Sequence, residues 1–315
     1  MKFTDFAGLD AKMEQLMRSA QAGRIVHALL FSGPHGTGKR SMAELMARAV
    51  LCKGEGMRPC DVCDSCKKCL NGVHPDIHDV VPEKNTIKVG QIRELQDTMS
   101  LASYEGGMKI AIIERADCMN ESAQNALLKT LENPTGDALF FLLTDSPGAL
   151  RPTVVSRCLT VRFHCLAPET CAEVLMKRGV AHERAALLAA LAQGSVGRAL
   201  EIDADEGEMA LREHVIDALE SLSGPEKIDA ASAEIGEVKD GGAAVLEMME
   251  LWARDLMRVQ NGLAPMQVAD GARLRASRLT GSALLKAVAQ MRRQVAANVS
   301  WANALDTMFF QLVRK

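Results

Sequence analysis

The sequence predicts a parallel α/β domain with helices on both faces of its sheet, followed by two all-helical domains. Three observations carry this. Residues 1–166 alternate short apolar runs with helix-period patterns; a glycine-rich stretch joins the first such run to a helix; and from Pro168 onward strand-like signals vanish. At 315 residues the chain exceeds one ordinary core, and the predicted boundaries are 1–166, 167–207 and 208–315.

Taken in order, Leu9, Met13, Leu16, Met17 and Ala20 share one helical face. The runs Ala28–Phe31, Ile77–Val81, Lys109–Ile113, Leu139–Thr144 and Leu159–Phe163 are mostly uninterrupted apolar segments, as strands buried on both faces require. Helix patterns lie between them at Arg40–Leu51, Val89–Ser100 and Ser122–Leu131. Ser122 is the expected cap of the last, and Asn133-Pro134 its stop. Pro168–Arg178, Glu183–Ala192 and Ser195–Ile202 read as three short helices, the last capped by Ser195. Longer helices follow at Glu208–Leu222, Pro225–Glu237, Ala243–Gln260, Ser282–Ala297 and Ser300–Arg314. Breaks fall at Ser223-Gly224, Asp240-Gly241-Gly242 and Gly262–Pro265.

Composition narrows the function classes. A net charge of −3 gives no overall basic character, so any nucleic-acid contact must be local or made through partners. Apolar runs fall short of a membrane span and Met1–Asp5 is no signal peptide. Nine cysteines, five of them clustered, point to metal rather than disulfides and to a cytoplasmic location.

Gly33-Pro34-His35-Gly36-Thr37-Gly38-Lys39 has the composition of a phosphate-binding loop between strand and helix. Glycines let backbone N–H groups close around phosphate, and Lys39 can reach the terminal phosphates. The next position requires a Ser or Thr hydroxyl for Mg²⁺; here it is Arg40. The acid expected at the end of a second strand is Glu114, but Arg115 stands where a catalytic carboxylate belongs, and a guanidinium cannot accept a proton from water. Asp117 is displaced by three residues and is expected to face elsewhere, as a helix cap. The pattern keeps ATP or ADP binding open and argues against hydrolysis.

Cys52, Cys60, Cys63, Cys66 and Cys69 form C-x7-C-x2-C-x2-C-x2-C. Tetrahedral Zn²⁺ takes four thiolates at about 2.3 Å, so one cysteine is surplus. The expected set is Cys52, Cys60, Cys63 and Cys66, with Cys69 outside or substituting for one of them. Such a closed site is structural; His74 or His78 could replace a cysteine as ligand in principle, but turn and surface roles are the expectation for both.

These motifs in order resemble the bacterial DNA polymerase III clamp-loader subunits of the AAA+ class. The residues that carry the resemblance are His27–Gly33, the cysteine cluster, His74-Pro75-Asp76, Ile92–Leu95, Asn125–Glu132, Ser156-Arg157-Cys158, Gly197–Leu200 and the ending Asn298–Leu312. The resemblance implies an AAA+ module with a zinc module at 52–69, a helical lid, and a collar that holds a hetero-oligomeric ring with gamma/tau and delta subunits. It implies that Arg157 acts in trans on a neighbour's ATP site, and that Thr144 and Arg198 stand at nucleotide-sensing positions. Sliding clamp and primer-template DNA are the implied partners of the ring. Arg93, helped by Gln91, is a candidate phosphate contact on a helix that faces DNA in such machines. A gamma/tau-type motor ATPase of the same machine is the alternative reading, opposed by Arg40 and Arg115. An unrelated P-loop kinase would carry no zinc cluster, and a free zinc module binding DNA by itself is opposed by the net charge.

Overall fold

The computed structural model describes residues 6–8, 11–23, 25–134, 136–235, 242–267 and 270–313. The expected positions Leu9, Glu237, Asp240, Gly241 and Arg314 lie outside them. Among the described residues, α1 (Ala11–Gln21), β1 (Ala28–Ser32), α2 (Lys39–Leu51), α3 (Asp64–Leu70), β2 (Ile77–Val80), α4 (Val89–Ser100), β3 (Lys109–Ile113), α5 (Glu121–Glu132), β4 (Ala138–Thr144), α6 (Pro152–Val155) and β5 (Leu159–Arg162) follow in order. Two compact units divide the chain: residues 1–166 with 195–197, and residues 167–194 with 198–315.

The first unit holds one five-stranded, fully parallel sheet of order β2-β3-β4-β1-β5. Successive side chains on a strand point to opposite faces, so each strand feeds two cores. Ala28 and Leu30 of β1, Ala111 and Ile113 of β3, and Phe140 and Leu142 of β4 pack with Ile92, Leu95, Leu127 and Leu131 of α4 and α5. The alternate residues Leu29, Phe31, Ile110, Ile112, Phe141 and Leu143 pack with Met13, Met17, Met42 and Met46 of α1 and α2. This double burial is why the strands read as continuous apolar runs.

The second unit is helical: α7 (Pro168–Lys177), α8 (His182–Leu191), α9 (Val196–Ala204, whose first turn belongs to the first unit), α10 (Glu206–Ser221), α11 (Ile228–Ile235), α12 (Ala243–Gln260), α13 (Gly271–Ala276), α14 (Gly281–Ala296) and α15 (Trp301–Val313). Its core gathers Val215, Leu219, Met249, Trp252, Leu256, Leu284, Met291 and Phe309. No single helix among the described residues is long and apolar enough to cross a membrane.

Two expectations need correction. The cap of α5 is Asn120, whose side chain accepts the Ala123 N–H at 2.8 Å, so Ser122 is already helical. Helices α3, α6 and α13 are not among the predicted ones. Each is seven residues or fewer, too short for its period to stand out from its neighbours.

Candidate functional site

The loops that follow β1, β3 and β4 meet at the carboxyl edge of the sheet, where ligands of open parallel sheets bind. Gly33 leaves β1 at φ +155°, and a Cβ there would lie 2.2 Å from the Phe163 carbonyl oxygen, so only glycine fits. The Gly33 N–H bonds the Thr144 carbonyl at 3.1 Å, which ties the loop to the end of β4. On the other side, Ser195 Oγ donates to the His35 carbonyl at 2.7 Å and the Gly197 N–H to the Gly36 carbonyl at 2.8 Å. A Cβ on Gly197 would lie 2.6 Å from Gly36 Cα, so the first turn of α9 can approach the loop this closely only through a glycine.

Lys39 is buried, and its ammonium is matched entirely from within the chain. Nζ donates to the Gly33 and Pro34 carbonyls, each at 2.7 Å, and pairs with Asp145 Oδ1 at 2.7 Å. These acceptors account for the three N–H donors of an ammonium. Asp145, just past β4, is a residue the sequence reading passed over.

Arg40 is paired as fully. It forks onto both carboxylate oxygens of Asp79 in β2, at 2.8 and 2.9 Å, and also reaches Glu114 at 2.9 Å and Glu44 at 2.6 Å. Burial by itself would lower the guanidinium pKa; the bonds to Asp79 and Glu44 outweigh it and raise it. The residue that replaces the magnesium-binding hydroxyl thus also occupies Glu114, the acid expected to hold the metal. Bidentate pairing of this kind is the stronger form of an arginine–carboxylate contact.

Arg115 adopts a left-handed backbone (φ +46°) and donates to Asn85 Oδ1 at 3.2 Å, away from Lys39. Asp117 does not face elsewhere as a cap. Its Oδ1 accepts the Thr144 hydroxyl at 2.7 Å and the Asp145 N–H at 3.3 Å, holding the end of β4. Thr144 is 1% exposed, and its hydroxyl also accepts the Ser146 N–H. In the second unit, Arg198 pairs with Glu208 and, at 3.7 Å, with Glu201.

Arg157 lies elsewhere. It precedes β5, whose first residue Leu159 pairs in register with Leu29 near the start of β1, so it stands at the amino edge of the sheet. Roughly 15 Å of strand separates that edge from the Lys39 loop. Arg157 is held by Glu132 at the end of α5 and by the Thr153 carbonyl at 2.8 Å. Arg93 is exposed on α4. Gln91 is already committed, its side chain accepting from the Lys88 N–H at 3.0 Å and donating to the Val81 carbonyl at 2.8 Å.

At the far end of α2, the sulfurs of Cys52, Cys60, Cys63 and Cys66 all lie within 4.8 Å of one another. Cys52 is the C-cap of α2 and Cys63 the N-cap of α3, so two helix ends aim thiols at one point. Backbone N–H groups point at the sulfurs: Gly54 and Cys60 at Cys52, Cys63 at Cys60, and Cys66 at Cys63, each at 3.4 Å. Such donors favour thiolates. Burial would raise the Cys63 thiol, but the backbone bonds from Cys66 and Lys53 bring it down to about 6. Burial pushes Cys66 up and Cys69 up to about 11; Cys69 stands outside the group. Four soft donors with converging lone pairs fit a tetrahedral metal, for which sulfurs would sit about 3.8 Å apart.

His74 belongs neither to that group nor to the surface. It is 5% exposed, its Nδ1 accepts the Asp76 N–H at 3.2 Å, and Nε2 meets Ser65 Oγ at 3.1 Å, which in turn donates to the Leu51 carbonyl. With Nδ1 accepting, the ring proton is on Nε2. The contact braces the cysteine module against the end of α2.

A phosphate loop after β1, an acid after β3, and β4 inserted between those two strands define a P-loop domain of the AAA+ type, here with its cations closed by its own carboxylates. A family model described as DNA polymerase III, delta subunit, matches residues 8–167, half of the chain, and the chain belongs to that family. The delta' subunit of Bacillus subtilis DNA polymerase III is 38% identical over 210 residues, 67% of this chain and 64% of that protein. The tau subunit of Escherichia coli is 34% identical over 251 residues, 78% of this chain but 37% of that longer protein. Each alignment therefore spans less than two thirds of the relative. A gamma subunit-related protein of Thermotoga maritima has a like fold, with a TM-score of 0.51 at 16% identity over 96% of this chain and 99% of that one.

Proposed function

We propose that the chain is a delta-prime subunit of a bacterial DNA polymerase III clamp loader. In this reading it does not turn over ATP itself and lends Arg157 to the ATP site of a neighbouring subunit. The observation that carries the reading is the placement of Arg157 at the amino edge of the sheet, across from the loop that holds Lys39. An arginine there is out of reach of its own phosphate loop and suited to a site on another molecule, where it would stabilise charge developing on a transferred phosphoryl group. The pairing of Arg40 with Asp79 and Glu114 supports the absence of turnover, since both positions needed for Mg²⁺ are spent on each other.

Residues 167–207 then serve as a lid and residues 208–315 as the collar of a ring shared with gamma/tau and delta subunits. The assembly opens a sliding clamp and places it on primed DNA in the cytoplasm, and Arg93 contributes a phosphate contact. Cys52, Cys60, Cys63 and Cys66 hold a structural Zn²⁺, which supplies folding energy rather than chemistry. ATP or ADP enters the loop of Gly33, Gly36, Gly38 and Lys39 by exchanging a phosphate for Asp145, while Thr144, bonded to Asp117, and Arg198, paired with Glu208, stand as structural remnants of nucleotide-sensing positions.

The test is ATPase activity of the full-length chain mixed with its motor subunits, delta subunit, clamp and primed DNA, comparing wild type with Arg157→Ala. The expected result is no turnover by the chain alone, stimulation in the mixture, and a loss of about tenfold or more with Arg157→Ala. Identity to a tau subunit over 78% of the chain supports a second reading, a motor ATPase. Turnover by the isolated chain that Lys39→Ala abolishes would establish that reading and overturn the first.

A further inference from the structure

We infer that Glu132 is the positioning residue for Arg157, an inference that rests on the trans role proposed above. Glu132 is the last residue of α5, and its carboxylate pairs with one terminal nitrogen of the Arg157 guanidinium. The other terminal nitrogen donates to the Thr153 carbonyl at 2.8 Å and lies 3.5 Å from Ser156 Oγ. These contacts use three of the five N–H donors of an arginine and leave two for an incoming oxyanion.

The platform under Glu132 is rigid. Leu131 beside it is 1% exposed, its carbonyl takes His27 Nε2 at 3.0 Å, and the Asn133 N–H closes the helix onto Lys129 at 3.1 Å. On the arginine side, Val154 is fully buried and its carbonyl accepts the Arg157 N–H at 3.1 Å. Both backbones are therefore fixed, and the freedom left to lose lies in the two side chains, chiefly the longer arginine. An unrestrained arginine surrenders rotamer entropy when it is fixed on a ligand. Glu132 removes part of that freedom in advance. The Arg157 and Glu132 side chains are 34% and 44% exposed, so the pair adds little to folding stability and its effect falls on the arginine's aim.

The experiment uses the reconstituted assembly, with full-length chains carrying Glu132→Ala, Glu132→Gln, Arg157→Ala or Glu132→Ala with Arg157→Ala. The readouts are kcat and KM for ATP, together with the melting temperature of each isolated chain. Glu132→Ala is expected to lower kcat by about two- to fivefold with KM unchanged and melting within about 2 °C of wild type. Glu132→Gln, which keeps a hydrogen-bond acceptor, recovers part of the loss, and the double variant equals Arg157→Ala alone. A kcat for Glu132→Ala equal to or above wild type overturns the inference, as does a loss that persists in the Arg157→Ala background. If Arg157→Ala itself leaves turnover unchanged, the trans role falls first and the positioning role with it.

Discussion

The two ends of α2 present opposite solutions to the same problem. At its start, Lys39 and Arg40 stand where a phosphate loop offers positive charge, and Asp145, Asp79, Glu114 and Glu44 already answer that charge. At its end, Cys52 joins three other thiols whose partners are N–H donors that leave sulfur lone pairs converging on one point. The difference teaches how to read a candidate ligand site. Motif chemistry says which groups are present, whereas the partners those groups have found say whether a ligand must compete. A buried ammonium is costly unless paired, so Lys39 without phosphate must find an anion, and Asp145 is that anion. Among the described residues, the four thiols brought together meet backbone N–H groups and no cation that would answer all of them.

The contrast predicts four outcomes, from the largest effect to the smallest. Cys66→Ala should reduce bound zinc from one per chain to near zero and cost about 3 kcal/mol or more of stability, measured by elemental analysis and thermal melting. Full zinc occupancy in that variant would break the contrast at its open end. Asp145→Ala removes the built-in competitor, and calorimetry should show ADP binding about tenfold tighter than in wild type. An unchanged affinity would mean that Asp145 does not guard the loop.

A smaller effect should appear with pH. Burial holds the His74 pKa below its ordinary 6.5, so the ring is more basic in the unfolded chain than in the folded one. The stability it contributes is intact above about pH 6.5 and is lost as pH falls from there through the lowered folded value. His74→Gln should flatten that part of the melting-temperature profile; an unaltered slope would assign the acid sensitivity to other groups. Least of all, Arg40→Thr should leave the isolated chain without measurable ATP turnover. It restores a hydroxyl for Mg²⁺, yet Arg115 still faces Asn85 where a catalytic acid is needed. Turnover by this variant would show that Arg40 alone had silenced the site.

Much of the architecture was legible because it depends on local patterns. Ala28–Phe31 and Leu139–Leu143 are uninterrupted apolar runs, and both proved to be inner strands buried on two faces. The cysteine cluster was legible by its C-x2-C spacing, but that Cys52 rather than Cys69 joins Cys60, Cys63 and Cys66 appears only where the end of α2 meets the start of α3. Arg40 and Arg115 could be recognised as misfits because the motif fixes what each position must do.

Other parts were not legible, for a shared reason. Asp145 lies 106 positions from Lys39 along the chain, and Asp79 lies 39 from Arg40, so no local period links them. Asp117 looked displaced by its spacing from Glu114, and only the turn after β3 brings it under Thr144. Gly197 matched a motif, but the need for it appears only where its backbone meets Gly36.

By itself, then, the sequence determined the parallel α/β domain, the helical remainder, the cysteine cluster and the presence of Arg40 and Arg115 at their motif positions, because periodicity and motif spacing are properties of neighbouring residues. Tertiary structure alone decided that Lys39 and Arg40 are answered by the chain's own carboxylates and that Glu132 meets Arg157. Charge pairing depends on distances in space, which chain order does not record.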